Sequence, residues 1–154
     1  MPHRLYLHIV WTTRDRRALI EAGLATYLCR FFRGVAGQER ARVLEVGMVS
    51  THVHLLVRVH PTTNLTRLLQ RLKGGSSMLA NRERRALPGA ELKWAKGYST
   101  RSVSQRALPA VREYLRNQPQ HHPTEAIPGW RGDAAEYEVA RDEEWFGPGR
   151  TRIA

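Results

Sequence analysis

The chain has 154 residues and 42% hydrophobic content, enough for one domain with its own core, and its single cysteine excludes an intrachain disulfide framework. A formal charge of +11 and a pI near 11.0 point to a polyanionic partner. Residues 1–118 hold twenty-one basic and seven acidic groups, a balance of +14, and residues 119–154 hold four and seven, a balance of −3.

The opening run LYLHIVWTT, Leu5 to Thr13, is too apolar and β-rich for an exposed face and predicts a central strand, closed by Arg14-Asp15-Arg16-Arg17. No uncharged apolar stretch long enough for a signal peptide or membrane span precedes it, so a cytoplasmic protein is expected, with no membrane partner. Leu24, Leu28, Phe31, Phe32 and Val35 recur at helical spacing within Leu19 to Gln38, and Cys29 falls in that apolar pattern as a core residue. Val43–Ser50 and Val53–Val59 read as a hairpin with a tight turn at Ser50-Thr51. Asn64 caps a helix carrying Leu65, Leu68, Leu69 and Leu72, with a bend or close contact expected at Gly74-Gly75. Tyr98 to Ser104 is a fourth strand, and Pro109 suits the first turn of a helix reaching Gln118.

The order β-α-β-β-α-β-α predicts an α+β fold, a ferredoxin-like (RRM-like) antiparallel sheet with helices on one face. That domain is expected over residues 1–120. Residues 121–154 are an acidic C-terminal extension, packed on the domain or solvated, with one short helix near Ala134 to Glu144.

His52 and His54 stand two apart on a predicted strand, so both imidazoles leave the same face and offer two ligating nitrogens, unless they only border a sheet edge. Tyr114 and Gln118 stand four apart on one helix face. A tyrosine can be a covalent nucleophile and a glutamine oxygen can ligate a hard metal if that helix crosses near the histidines. On other grounds the pair could be a packing residue and a helix end. His8 reads as a hydrogen-bonded core histidine, Trp11 as core, and His121-His122 as polar loop. Trp94 or Tyr98 could stack on an unpaired base.

Four ordered blocks over residues 3–120 together carry a resemblance: His8-Ile-Val-Trp-Thr-Thr-Arg-Asp-Arg-Arg17; His52-Val-His54-Leu-Leu; Trp94-Ala-Lys-Gly-Tyr98; and Val111-Arg-Glu-Tyr114-Leu-Arg-Asn-Gln118. The chain resembles the single-tyrosine HUH transposases of small bacterial insertion sequences, with REP-associated tyrosine transposases as relatives. It departs from them in having Ser50-Thr51 where an aspartate commonly precedes the first histidine, which bears on the geometry of the strand end.

The resemblance implies a DNA transposase, bacterial or archaeal, that cuts and rejoins single-stranded DNA at hairpin ends. His52, His54 and Gln118 would hold Mg²⁺ or Mn²⁺, and Tyr114 would form a 5′-phosphotyrosine without ATP. A neutral phenol is a weak nucleophile, so the metal and cations such as Arg112 or Arg116 would have to assist, and no dedicated general base stands out. A homodimer sharing its active sites in trans is implied as well. DNA contacts are expected from Arg14, Arg16, Arg17, Arg67, Arg71, Lys73, Tyr98 and Arg112, and Arg82, Arg84 and Arg85 form a further basic cluster. The alternatives are a non-catalytic or domesticated single-strand-binding module on the same fold, and a replication or plasmid-transfer HUH enzyme, which is typically longer with paired tyrosines.

Overall fold

A computed structural model describes residues 4–132. Strands β1 (Leu5–Thr12), β2 (Ala41–Val49), β3 (His52–Val59) and β4 (Ser99–Val103) form one antiparallel sheet in the order β2-β3-β1-β4. The apolar run from Leu5 is therefore central, as expected, and β3 lies beside it. The polar run Ser-Thr-Arg-Ser-Val forms an edge strand, where its side chains stay largely exposed. Ser50-Thr51 is the hairpin turn between β2 and β3.

Helix α1 (Ala22–Gln38) starts later than the apolar period because Glu21 caps it, accepting from Gly23 N at 2.8 Å and Leu24 N at 2.7 Å. Leu19 and Ile20, which continue the period backward, donate instead to Ser50 O. The helix from Asn64 is broken into α2 (Leu65–Gln70), a π-helical turn (Arg71–Gly75) and α3 (Ser76–Arg82). The bend expected at Gly74-Gly75 is this turn, where a Cβ on Gly75 would lie 3.2 Å from the Phe31 ring. Leu24, Leu28, Phe32, Leu68, Leu72 and Ala80 pack with Ile9, Trp11, Val53, Leu55 and Val57 on one face of the sheet. Cys29 lies in this core, and Trp94 leans on it with its Nε1 donating to Ser76 Oγ.

The helix predicted from Pro109 lies on the opposite face. α4 (Leu108–Arg116) packs Leu115, Val111 and Leu108 on Tyr6, Leu44 and Leu56. It stops two residues short of Gln118, and Pro119 falls in the first turn of a new short helix, α5 (Gln118–His121). With a layer on each side, β3 is buried along its whole length.

Two features of β2 seat α4. Between Val43 and Glu45 the register slips by one residue, so that Glu45, not Leu44, stands opposite Leu56. This bulge turns Glu45 away from the apolar core and toward α4, where it meets Arg112 and Arg116. Further along, Gly47 lets the helix backbone onto the strand, since a Cβ there would come within 2.3 Å of Leu115 O.

Residues beyond 120 join this body. Ile127 is buried in the main core, Trp130 packs against it, and Ser50 N donates to Glu125 O at 2.8 Å. The short helix expected near Ala134 to Glu144 lies outside the described residues.

Candidate active site

Strand alternation places His52 and His54 on the α4 face, because Val53, Leu55 and Val57 between and beyond them belong to the core beneath the sheet. His8 on β1 shares that face with Tyr6, and its Nε2 lies 2.9 Å from Nδ1 of His54. The two rings stack with centroids 5.1 Å apart.

α4 brings the tyrosine to this patch. The Tyr114 ring, 43% exposed, stands edge-on to His54 at 5.8 Å and to His8 at 6.4 Å between centroids. One turn on, buried Gln118 places Oε1 at 3.3 Å from His52 Nε2 and donates from Nε2 to Tyr114 O at 3.3 Å. The four residues singled out in the sequence, His52, His54, Tyr114 and Gln118, thus converge within one chain.

Three further groups enclose them. His121 on α5 lies against Tyr114, its centroid 5.0 Å away, and His122 stands perpendicular to His52 at 4.9 Å. Glu125 accepts from the Thr51 hydroxyl, and Thr51 Oγ1 lies 3.0 Å from His52 Nδ1. The strand end that carries Ser50-Thr51 is therefore held from outside the sheet. His8, His121, His122 and Glu125 were not singled out as site residues. Their signal was weak: His8 is one histidine in an apolar run, and His121-His122 and Glu125 follow Pro119, where periodicity no longer indicates what a side chain faces.

Burial disfavours the charged form of His8, His52 and His54. His54 is pushed down to about 3, first by desolvation and then by His52, His8 and His122. His52 is lowered chiefly by burial, and His8 by burial and by Arg101 on the edge strand. The Thr51 hydroxyl bond holds the Glu125 carboxyl below its usual range. Neutral imidazoles and a carboxamide oxygen are the ligand types a divalent cation takes. The 3.3 Å between His52 Nε2 and Gln118 Oε1 is close to the ligand spacing of about 3 Å in an octahedral shell with bonds near 2.1 Å. His54, engaged at Nδ1, leaves Nε2 as the nitrogen that would ligate. The donors fit one hard or borderline cation; among the described residues no three His, Cys, Asp or Glu side chains group as a metal site, so a third ligand would have to come from Gln118.

The basic residues separate. Arg14, Arg16 and Arg17 are exposed after β1, and Arg16 reaches to 4.0 Å from Glu125 at the edge of the site. Arg14 and Arg17 line a cleft with Lys93 and Glu91. Arg67 and Arg71 close on Glu39 at 2.7 and 2.8 Å, away from the histidines, and hold its carboxyl low, Arg71 most. Lys73 donates to Ala95 O and Gly97 O, which fixes the loop before β4, and burial lowers its pKa. Arg112 is buried, with Nη2 2.8 Å from Leu44 O and Nε 3.4 Å from Glu45, and Arg116 pairs with Glu45 at 3.1 Å. Both charges expected to assist Tyr114 are therefore directed to Glu45. Tyr98 is half exposed beside β4.

A ferredoxin-like sheet with a paired-histidine strand and a tyrosine helix across it defines a class, and comparison with known proteins agrees. Residues 2–118 match the IS200-like transposase family. The chain belongs to that family. It is 25% identical over 120 residues to the ISDra2 transposase TnpA of Deinococcus radiodurans, which spans 75% of this chain and 85% of that protein. Two solved structures share the fold. One is a crystal structure described as a transposase from Deinococcus radiodurans R1, with a TM-score of 0.58, 22% identity, and coverage of 77% and 93% of the two chains. The other is a REP-associated tyrosine transposase bound to a REP hairpin, with a TM-score of 0.58, 12% identity, and coverage of 79% and 71%. Among the described residues no helix is long and apolar enough to cross a membrane.

Proposed function

We propose that this transposase cuts and rejoins single-stranded DNA by the HUH single-tyrosine route, with Tyr114 as nucleophile and His52, His54 and Gln118 holding Mg²⁺ or Mn²⁺. The observation that carries the reading is the exposed Tyr114 ring beside two buried, neutral histidines, with Gln118 one turn away facing His52. A buried phenol would be a packing residue. This one has solvent on one side and imidazoles on the other, as a group that must meet a bulky phosphodiester requires.

The cation would supply positive charge against the non-bridging oxygens of the scissile phosphate. The chain's own residues do the rest. Tyr114 attacks phosphorus in line, forming a 5′-phosphotyrosine and releasing a 3′-hydroxyl, and attack by a 3′-hydroxyl on that linkage restores the phenol and a DNA strand. The bond energy is retained in the linkage, so no ATP is needed. Burial of His52 and His54 keeps them unprotonated as ligands, and the Gln118 bond to the Tyr114 carbonyl ties ligand to nucleophile helix.

Hairpin ends as substrate are proposed from the REP-associated relative, whose DNA is a REP hairpin. Exposed cations that border the site are Arg16, 4.0 Å from Glu125 with Arg14 and Arg17 beside it in the chain, and Arg101, which pairs with His8 across the sheet; these remain open to phosphates. A homodimer belongs to this reading as well; the resemblance implies sites shared in trans, while the contacts of Tyr114 and Gln118 with the histidines of their own chain favour sites completed in cis.

Incubation of the purified chain with Mn²⁺ and labelled single-stranded hairpin DNA tests the reading. A covalent adduct on a denaturing gel that disappears in Tyr114→Phe, in His52→Ala and on chelation is expected. Tight DNA binding with no adduct across a varied oligonucleotide pool would leave a binding module instead.

A further inference from the structure

We propose that Glu125, acting through the Thr51 hydroxyl, is a positioning residue that holds His52 in its Nδ1–H tautomer and so turns a bare Nε2 toward Gln118. The inference deepens the metal reading above and rests on it for the use of that nitrogen, though not for the tautomer.

Proton counting carries the argument. Thr51 Oγ1 touches two groups, Glu125 Oε1 on one side and His52 Nδ1 at 3.0 Å on the other, and it has one proton to donate. At pH 8 an ordinary carboxylate is ionised and accepts only. The Thr51 proton is therefore directed to Glu125, and the oxygen that remains is an acceptor toward His52. A neutral imidazole has a single N–H, so it must lie on Nδ1, and Nε2 keeps its lone pair.

That lone pair faces Gln118 Oε1 at 3.3 Å, and the amide cannot simply turn over, because its nitrogen donates to Tyr114 O. Two electron-pair donors in this arrangement make a poor hydrogen bond and a good pair of ligands. The opposite assignment, an Nε2–H given to Gln118, would require Thr51 to donate to His52. It would then leave two unprotonated oxygens in contact at Thr51 and Glu125. Histidine ligands whose second nitrogen donates toward a carboxylate, directly or through a hydroxyl, are oriented in this way.

Glu125 is fixed independently of its side chain. Its carbonyl accepts from Ser50 N, and Ile127 two residues on is buried in the core. Around the carboxylate stand His122 Nδ1 at 3.5 Å and Arg16 at 4.0 Å, and Thr51 itself is 5% exposed. The family match ends at residue 118, so this contribution comes from the segment that follows the matched region.

The test is ¹⁵N–¹H correlation of the histidine rings in the metal-free full chain at pH 8, for wild type, Thr51→Val and Glu125→Ala, with Mn²⁺ binding by calorimetry alongside. Expected is Nδ1–H at His52 in the wild type, a shift toward Nε2–H in both variants, and Mn²⁺ binding weakened by about 10- to 100-fold. An Nε2–H wild type overturns the inference even if neither variant folds. Variants that keep Nδ1–H, or that bind Mn²⁺ within about twofold of the wild type while it binds well, overturn it too. A wild type with Nδ1–H that takes up no Mn²⁺ would uphold the positioning role and remove the metal reading.

Discussion

His8 Nε2 lies 2.9 Å from His54 Nδ1, across the central pair of strands, so a histidine from β1 holds the ring of the second histidine on β3. With His52 as a further neighbour, three imidazoles share one buried patch, where a proton added to His54 would be desolvated and, after that, repelled by any charge on His52, His8 or His122. This sets a pH dependence. His54 is held down to about 3 in the folded chain, below the ordinary 6.5 of an unfolded one, so the unfolded state takes up the proton first. Stability is full above pH 6.5 and falls as the pH drops from there toward 3, by about 2 kcal/mol at pH 5 from this group. Thermal unfolding followed from pH 8 to pH 5 should show that loss, and His54→Gln should be flatter over the same range. Parallel curves would mean that His54 is not buried neutral.

The same contact makes His8 a support for a proposed ligand. His8→Phe keeps a ring beside His54 and removes the hydrogen bond. Mn²⁺ binding should weaken about 10- to 100-fold, with a melting temperature near that of the wild type, because His8 is only partly buried. Unchanged Mn²⁺ affinity would reduce His8 to the core histidine its sequence context suggests.

Much of this architecture was legible in the residues, for physical reasons that also explain the misses. The alternation in His52–Val59 fixes which side chains share a face, so the histidine pair could be read without coordinates. Pro109 and the Tyr114–Gln118 spacing marked the last helix. Its place on the opposite face was not legible, because it depends on a bulge at Leu44 and a missing Cβ at Gly47, neither of which alters the apolar period. Charge alone did not show which partners the arginines take within the fold. Arg67, Arg71 and Arg112 look like phosphate contacts in a +11 chain, yet each meets a glutamate far away in sequence. Glu125 illustrates the converse, a residue in an acidic tail whose partner is a turn 74 positions earlier.

Gly47 should be intolerant of substitution. In Gly47→Ala the new Cβ would fall 2.3 Å from Leu115 O, backbone that cannot yield without moving α4. A cost of about 1–3 kcal/mol is expected for such overpacking. Because Tyr114 and Gln118 ride on that helix and its end, adduct formation should fall by more than the lost stability explains. A variant with wild-type adduct yield at a temperature where it is fully folded would mean that α4 is not seated by Gly47.

Glu45 is the counter-charge that lets Arg112 sit buried, with both side chains under a tenth exposed. Glu45→Ala would strand that guanidinium against apolar surface and is expected to cost about 3–5 kcal/mol by chemical denaturation. Replacing both members, Glu45→Leu with Arg112→Met, should recover most of the loss, since the desolvation of the pair disappears with it. A single mutant no less stable than the double would show that the pair does not pin α4.

The attachments of α4 also bear on whether the tyrosine serves its own chain. Leu115 is buried in the core of that face, Arg112 and Arg116 are tied to Glu45, Gln118 faces His52, and Glu125 returns to Ser50 and Thr51. Exchanging the helix with a second copy would break all of these before remaking any. Co-expressed Tyr114→Phe and His52→Ala chains should therefore form no adduct, since in cis each site lacks one component. A homodimer working in trans would instead join the intact tyrosine of one chain to the intact histidines of the other, and the mixture would regain a substantial part of wild-type adduct. Recovery of that kind would mean that the contacts holding α4 in place are remade between chains, with Glu45 of one pairing with Arg112 of the other.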